Sequence, residues 1–201
     1  MISAEIYAKR REMRLKRAWK MKKKIVVLTG SRRKDGNSYA LADAFVRAAE
    51  ASGHTVTRFD AGLMNLCGCR VCDRCYSTGK ACVIADDFNA IAPAVEEADA
   101  VVIVTPICWY AMPAQLAAVF DRFNCFKVGE KDLSGKECAL LACCEDEDIS
   151  TFDGVRFAYE RTADLLDWHS VGEVLIPGVL KPGEIRRTDG VARAAALAGK
   201  F

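Results

Sequence analysis

The sequence predicts an α/β protein built as a three-layer sandwich on a five-stranded parallel sheet. Three observations carry this. Short apolar runs alternate with segments of helical periodicity from Lys24 onward. The runs KIVVLT (Lys24–Thr29) and AVVIVT (Ala100–Thr105) are nearly continuous in apolar residues, as in strands buried on both faces. The 201 residues, 51% of them apolar, suffice for one full core.

Residues 1–22 form a basic arm, helix-prone and solvated. Lys24–Thr29 is the first strand, ending in Gly30. Asn37–Ser52 carries Leu41, Phe45 and Ala48 on one helical face, and Gly53 is its stop signal. Thr55–Asp60 reads as a more polar edge strand. Residues 61–85 show no period and hold five cysteines, concentrated in a loop over 64–85. Asp86–Ala98 is a helix with Phe88, Ile91 and Val95 inward and a kink expected at Pro93. Ala100–Thr105 is the most apolar strand and belongs at the sheet centre. Pro113–Phe123 is a helix with Pro at its first position and Leu116, Phe120 and Phe123 inward. Glu137–Ala142 is a strand. Phe152–Trp168 is a helix with Val155, Tyr159, Thr162 and Leu166 on one side, and Val171–Pro177 is the last strand. The main domain is expected over 23–180. Pro177-Gly178 and Pro182-Gly183 then release a tail, 181–201, with a helix near Arg187–Ala198.

Charge narrows the function classes. Residues 1–24 hold ten Lys/Arg against two Glu, whereas the rest holds nineteen against twenty-five acids. The body is mildly acidic, so a nucleic-acid groove is not expected. No run approaches a membrane span. The arm has no apolar core of a secretory signal, so a reducing, cytoplasmic setting is expected, where clustered cysteines bind metal or do chemistry.

In a sheet of this class ligands bind beyond the carboxyl ends of the strands. Three loops leave those ends: Gly30–Asn37, Pro106–Met112 and Cys143–Ser150. The first, GSRRKDGNS, runs from a strand into a helix start. Unpaired N–H groups, hydroxyl and amide side chains and three basic residues there make an anion site. It matches neither the P-loop nor the G-x-G-x-x-G pattern; the alternative is a plain turn with Asn37 as helix cap. The second loop sets Trp109 and Tyr110 beside Pro106 and Cys108, suited to a flat ring or to a core or interface. In the third, Glu145, Asp146, Glu147 and Asp148 suit a helix start. The cysteine spacing Cys69-x2-Cys72-x2-Cys75-x6-Cys82, with Cys67 just upstream, matches four thiolates around one [4Fe–4S] cube. Metal-free cysteines, zinc or a disulfide remain open on spacing alone. Neither His54 nor His169 completes a catalytic triad, and no paired carboxylates suit hydrolysis.

GSRRKDGNS after the first strand, TPICWYAMPAQLAAVFDRF after the third and the cysteine loop between them resemble the flavodoxin-like flavoproteins over about residues 23–180. More narrowly, they resemble the NADPH-dependent FMN reductase group and its iron–sulfur flavoprotein branch. The resemblance implies the strand order 2-1-3-4-5. It implies that Ser31, Arg33, Asn37 and Ser38 hold the FMN phosphate, with Arg32 standing where relatives usually have Pro. It sets Pro106, Ile107, Cys108, Trp109, Tyr110 and Cys143 near the isoalloxazine, and it makes Cys69, Cys72, Cys75 and Cys82 the ligands of a [4Fe–4S] cluster. It implies NAD(P)H or reduced ferredoxin as donor, a quinone or other small oxidised compound as acceptor, and a homodimer or homotetramer. No residue is expected to act as a nucleophile, because the flavin carries the chemistry. Two other readings stand beside this one: a cluster-free FMN or quinone reductase, and an electron carrier or redox sensor without a small-molecule substrate.

Overall fold

The computed structural model describes residues 22–201, so the basic arm, save for Lys22, lies outside the described residues. Among the described residues strands and helices run β1 Lys24–Thr29, α1 Asn37–Ala51, β2 Thr55–Phe59, α2 Phe88–Glu97, β3 Ala100–Pro106, α3 Ala114–Asp121, α4 Asn124–Val128, β4 Glu137–Cys143, α5 Asp153–Leu165, β5 His169–Ile176 and α6 Gly190–Ala198. Short 3-10 turns occupy Ala61–Leu63, Ile149–Phe152 and Glu184–Arg187. Every neighbouring strand pair is parallel and the order is β2-β1-β3-β4-β5, the flavodoxin-like arrangement expected.

Strand alternation sorts the core into two layers. Val26, Leu28, Val101, Ile103 and Leu140 face α2, α3 and α5, meeting Phe88, Ile91, Leu116 and Val155. Ile25, Val27, Val102, Val104 and Leu141 face the other way, meeting Leu41 and Phe45 of α1 with Ala194, Leu197 and Phe201 around α6. Each such large side chain contributes about 1.5–3 kcal/mol by leaving water. β2 is half-exposed, as befits an edge.

Several boundaries differ from the sequence reading. α2 continues through Pro93 as one ten-residue helix. The buried Lys136 amino group closes its far end, donating to the carbonyls of Ala98 (2.5 Å) and Glu96 (2.9 Å), a cation where the helix dipole favours one. Pro113 stands at the cap of α3 rather than inside it. The single helix expected to Phe123 is two: Cys125 N–H bonds back to Arg122 at 3.0 Å, a tight step that starts α4. β5 begins at His169, two residues earlier than expected. Residues 181–201, expected beyond the domain, are packed into it: Ile185, Ala194, Leu197 and Phe201 are buried, and the Phe201 ring meets Phe45 edge-on at 5.5 Å. No helix among the described residues is long and apolar enough to cross a membrane.

Candidate functional site

β1 and β3 are neighbours, but the chain leaves them toward opposite sheet edges. The carboxyl ends of β1, β3 and β4 therefore open onto a shared crevice. A cavity of about 360 Å³ fills it, within the range of small-molecule sites.

The first loop forms one wall. Gly30 N–H bonds Val104 O at 2.9 Å, tying the loop's start to β3. Ser31 Oγ accepts the Arg33 N–H at 3.0 Å and donates to the Arg33 carbonyl at 3.2 Å, and Gly36 N–H closes on the same carbonyl at 3.0 Å. Gly36, not Asn37, is the helix cap, and no side chain caps α1. The first-turn N–H groups of α1 consequently open on the cavity, with Arg32 and Arg33 at its rim. Beneath the loop, Gly62 is seated so closely that a Cβ there would lie 2.4 Å from Ser31 O and 2.6 Å from Gly30 O. Asp60 anchors the same floor. It accepts from Thr29 Oγ1 (2.8 Å), Arg58 Nε (2.7 Å) and the Tyr39 hydroxyl. Burial pushes the Asp60 carboxyl up, yet these hydrogen bonds and the Arg58 charge outweigh it and hold the pKa below the usual value.

The structure brings eight expected cofactor residues together on the cavity: Ser31, Arg33, Asn37, Ser38, Pro106, Ile107, Cys108 and Cys143. Asn37 differs in one respect. Its side chain is spent on the chain's end, donating to Lys181 O (3.0 Å) and accepting from Ile185 N–H (3.2 Å), so its contribution to the cavity is backbone. The Cys143 thiol is pushed up to about 12, mainly by burial, with Cys144 adding and the Ser38 hydrogen bond opposing. It is a neutral apolar wall, not a nucleophile.

Trp109 and Tyr110 are not on this cavity. Cys108 and Ala111 bond each other across a tight hairpin, N–H to O at 2.9 and 3.0 Å. The two aromatics at its tip both take left-handed backbone, φ 49° and 61°. Such φ values usually fall to Asn or Gly, and the strain is about 1–3 kcal/mol per residue. Trp109 is 95% exposed and Tyr110 63%. They line an adjoining depression with Ile107, Cys144, Glu145, Asp146 and Thr151. Gly154 supports this turn, since a Cβ there would lie 2.2 Å from Tyr110 O.

The acidic loop is ordered by its own side chains. Asp146 accepts from Asp148 N–H (3.0 Å) and Thr151 Oγ1 (3.1 Å), and Asp148 caps the following 3-10 turn through Ser150 N–H at 2.9 Å. Glu145 reaches both the cavity and the aromatic depression. Cavity residues that sequence reasoning missed include Pro113, Cys144, Val179, Leu180 and Pro182. The last three leave the carboxyl end of β5, the position that could have flagged them.

The cysteine loop has no regular structure. Left-handed Val71, Asp73 and Tyr76 (φ 48°, 51° and 59°) alternate with Cys72 and Cys75. Cys69 Sγ accepts the Val71 N–H at 3.4 Å. The Cys75 thiol is pushed up by burial first and then by the charges of Cys82, Cys69 and Cys72. Among the described residues no three Cys, His, Asp or Glu are gathered closely enough to hold a metal ion. Next to the loop the Arg122 guanidinium is buried and paired with Asp86, and its Nε and Nη2 have no partner. Cys67 instead faces Asp86, its thiol at 3.5 Å.

Comparison with known proteins bears on this geometry. Residues 23–148 match the family model described as NADPH-dependent FMN reductase. An iron–sulfur flavoprotein of Archaeoglobus fulgidus is 33% identical over 99 residues, which are 49% of this chain and 44% of that protein. One from Methanocaldococcus jannaschii is 28% identical over 106 residues, 53% of this chain and 54% of that protein. The chain thus spans about half the length of the curated relatives it matches. A solved NAD(P)H:quinone oxidoreductase from Methanothermobacter marburgensis superposes with a TM-score of 0.67 at 18% identity, covering 89% of this chain and 95% of that one, a likeness of fold. The family match covers more than half of the chain, including two of the loops that wall the cavity and the start of the third. This chain belongs to the NADPH-dependent FMN reductase family.

Proposed function

We propose that this protein is an FMN-dependent oxidoreductase that also carries a [4Fe–4S] cluster. One observation carries the reading: three loops far apart in sequence converge on a single cavity with a polar N–H floor at one end and an apolar wall at the other. When bound, FMN supplies two-electron chemistry and the cluster one-electron transfer. The N–H groups at the start of α1, with Ser31 and Arg33, would hold the phosphate. Pro106, Ile107, Cys108 and the neutral Cys143 would flank the ring without reacting with it. Cys69, Cys72, Cys75 and Cys82 would ligate the cluster. Donor and acceptor are inferred by family likeness: NAD(P)H or a ferredoxin-like protein, and a small oxidised compound such as a quinone. A cytoplasmic setting belongs to the same proposal, on the chain's ten cysteines.

A homodimer or homotetramer belongs to it as well. The strained, exposed Trp109–Tyr110 tip lines the depression adjoining the cavity, and a second copy of the chain is the occupant we infer for it.

The absence of three gathered ligands among the described residues favours a cluster-free FMN reductase as second reading. Anaerobic reconstitution with FMN, ferrous iron and sulfide separates the two. The first reading expects one FMN and about four iron per chain, with broad absorbance near ~400 nm. FMN without iron leaves the second, and no uptake of FMN overturns both.

A further inference from the structure

One wall of the cavity, made by Val179, Leu180 and Pro182, belongs to a segment that follows β5 and lies beyond the 23–148 covered by the family match. The segment runs from the third loop to the first. The Gly178 and Val179 N–H groups donate to the carbonyls of Asp146 (2.9 Å) and Cys144 (2.8 Å). At the other end the buried Asn37 amide donates to Lys181 O at 3.0 Å and accepts the Ile185 N–H at 3.2 Å. Between these anchors the segment holds its own shape. The Glu184 carboxylate accepts the Leu180 and Lys181 N–H groups at 2.8 and 2.9 Å, and Gly183 turns the chain through left-handed backbone, φ 87°.

Two features set this segment apart from a surface turn. Asn37 opens α1 directly after its Gly36 cap, in the turn whose N–H groups face the cavity. One side chain therefore ties the cavity's N–H floor to its wall. If the segment lifts away, the buried Asn37 amide loses both partners, so the attached position is favoured but can be left. Leu180, in turn, lines the cavity while 54% exposed, an apolar surface that a flat ring seated there would cover.

We propose that residues 178–185 form a strap that retains the flavin, and that Asn37 is its positioning residue: the amide latches the strap to the first turn of α1, and release of the cofactor waits on opening of that latch. This rests on the FMN reading above. It gives the Asn37 side chain a role other than the phosphate contact implied by family resemblance. A phosphate contact would act on FMN and not on riboflavin, whereas a latch acts on both, because the strap borders the whole cavity and takes no part in phosphate recognition. A gate also has a kinetic mark of its own, since loosening it speeds departure without hindering entry.

The test uses the full chain and follows flavin fluorescence, quenched on mixing and recovered on dilution, for FMN and for riboflavin. Asn37→Ala removes the latch. Its dissociation rate should rise about tenfold for both flavins, with association as fast as wild type or faster. Rates within about twofold of wild type overturn the proposal, and so does acceleration confined to FMN, which would return the amide to the phosphate. Association that slows as dissociation speeds also overturns it, because that marks a misshapen site and not an open one. Glu184→Ala gives a second measurement if Asn37→Ala fails to fold. It loosens the strap from the far side without touching α1, and it should speed release of both flavins; unchanged release overturns the proposal. Wild-type protein that binds neither flavin overturns the FMN reading and this inference with it, whereas wild-type binding with unaltered variants overturns the strap alone.

Discussion

Gly62→Ala is the sharpest perturbation of the loop proposed to hold the phosphate, because it adds one carbon where the structure leaves no room. The added Cβ would lie 2.4 Å from Ser31 O, 2.6 Å from Gly30 O and 2.6 Å from Ser31 C. Ordinary carbon–oxygen contacts begin near about 3.3 Å, so the backbones must separate by about 1 Å. All three atoms are backbone, so no side-chain rotation relieves the clash. Overpacking of this kind destabilises by about 1–3 kcal/mol. The loop is held from above by Gly30 N–H to Val104 O, so the strain falls on Ser31 and the N–H groups that follow. We expect FMN affinity to fall 10- to 100-fold, about 1.4–2.8 kcal/mol. Riboflavin, which has no phosphate, should lose less than threefold. The assay is quenching of flavin fluorescence on titration, with thermal melting to confirm that the variant is folded. A folded Gly62→Ala protein that binds FMN as tightly as wild type would refute the placement of the phosphate on this loop.

The other expectations are as direct. Arg33→Ala should weaken FMN about tenfold and flatten the salt dependence of binding, measured at two ionic strengths, because an exposed rim guanidinium acts mainly through charge. Asp60→Asn should remove a pH-dependent part of stability. The folded Asp60 carboxyl titrates below its ordinary value, so its contribution is present above pH ~4 and fades as pH falls through the folded pKa. Urea midpoints from pH 7 to pH 3 should converge for the two proteins at the acid end; parallel curves count against the network. Trp109→Ala/Tyr110→Ala should lower the mass measured by light scattering after size exclusion while leaving the fold intact, and an unchanged mass counts against the second copy as occupant of that tip. Cys75→Ser should retain FMN and lose most of the iron after reconstitution, read by metal analysis.

Much of the scaffold was legible because it rests on local chemistry. The Lys24–Thr29 and Ala100–Thr105 runs are apolar on both faces, which only an interior strand tolerates, and glycine follows the first where the chain turns into α1. The cavity's two main loops were legible for the same reason, since strand ends of this topology must open on the crevice. The cysteine spacing was equally plain, although spacing alone does not say how the thiols are gathered. The aromatic loop was legible as a place and not as a conformation. Nothing in Trp109-Tyr110 announces paired left-handed residues, because side chains of that size resist them.

Residue order and polarity alone determined the α/β class, the alternation of its elements, the basic Gly30–Asn37 turn and the thiol-rich loop, because period, punctuation and charge act over a few neighbouring positions. Tertiary structure decided what depends on groups meeting from far apart in the chain. It turned the Asn37 amide to the 181–185 segment, 144 residues away at Lys181. It pressed Gly62 under Ser31 and packed Phe201 on Phe45. It buried Arg122 against Asp86 and the Phe88 ring with two donors to spare. Burial and hydrogen-bond partnership are properties of the packed chain, and no window of sequence contains both partners.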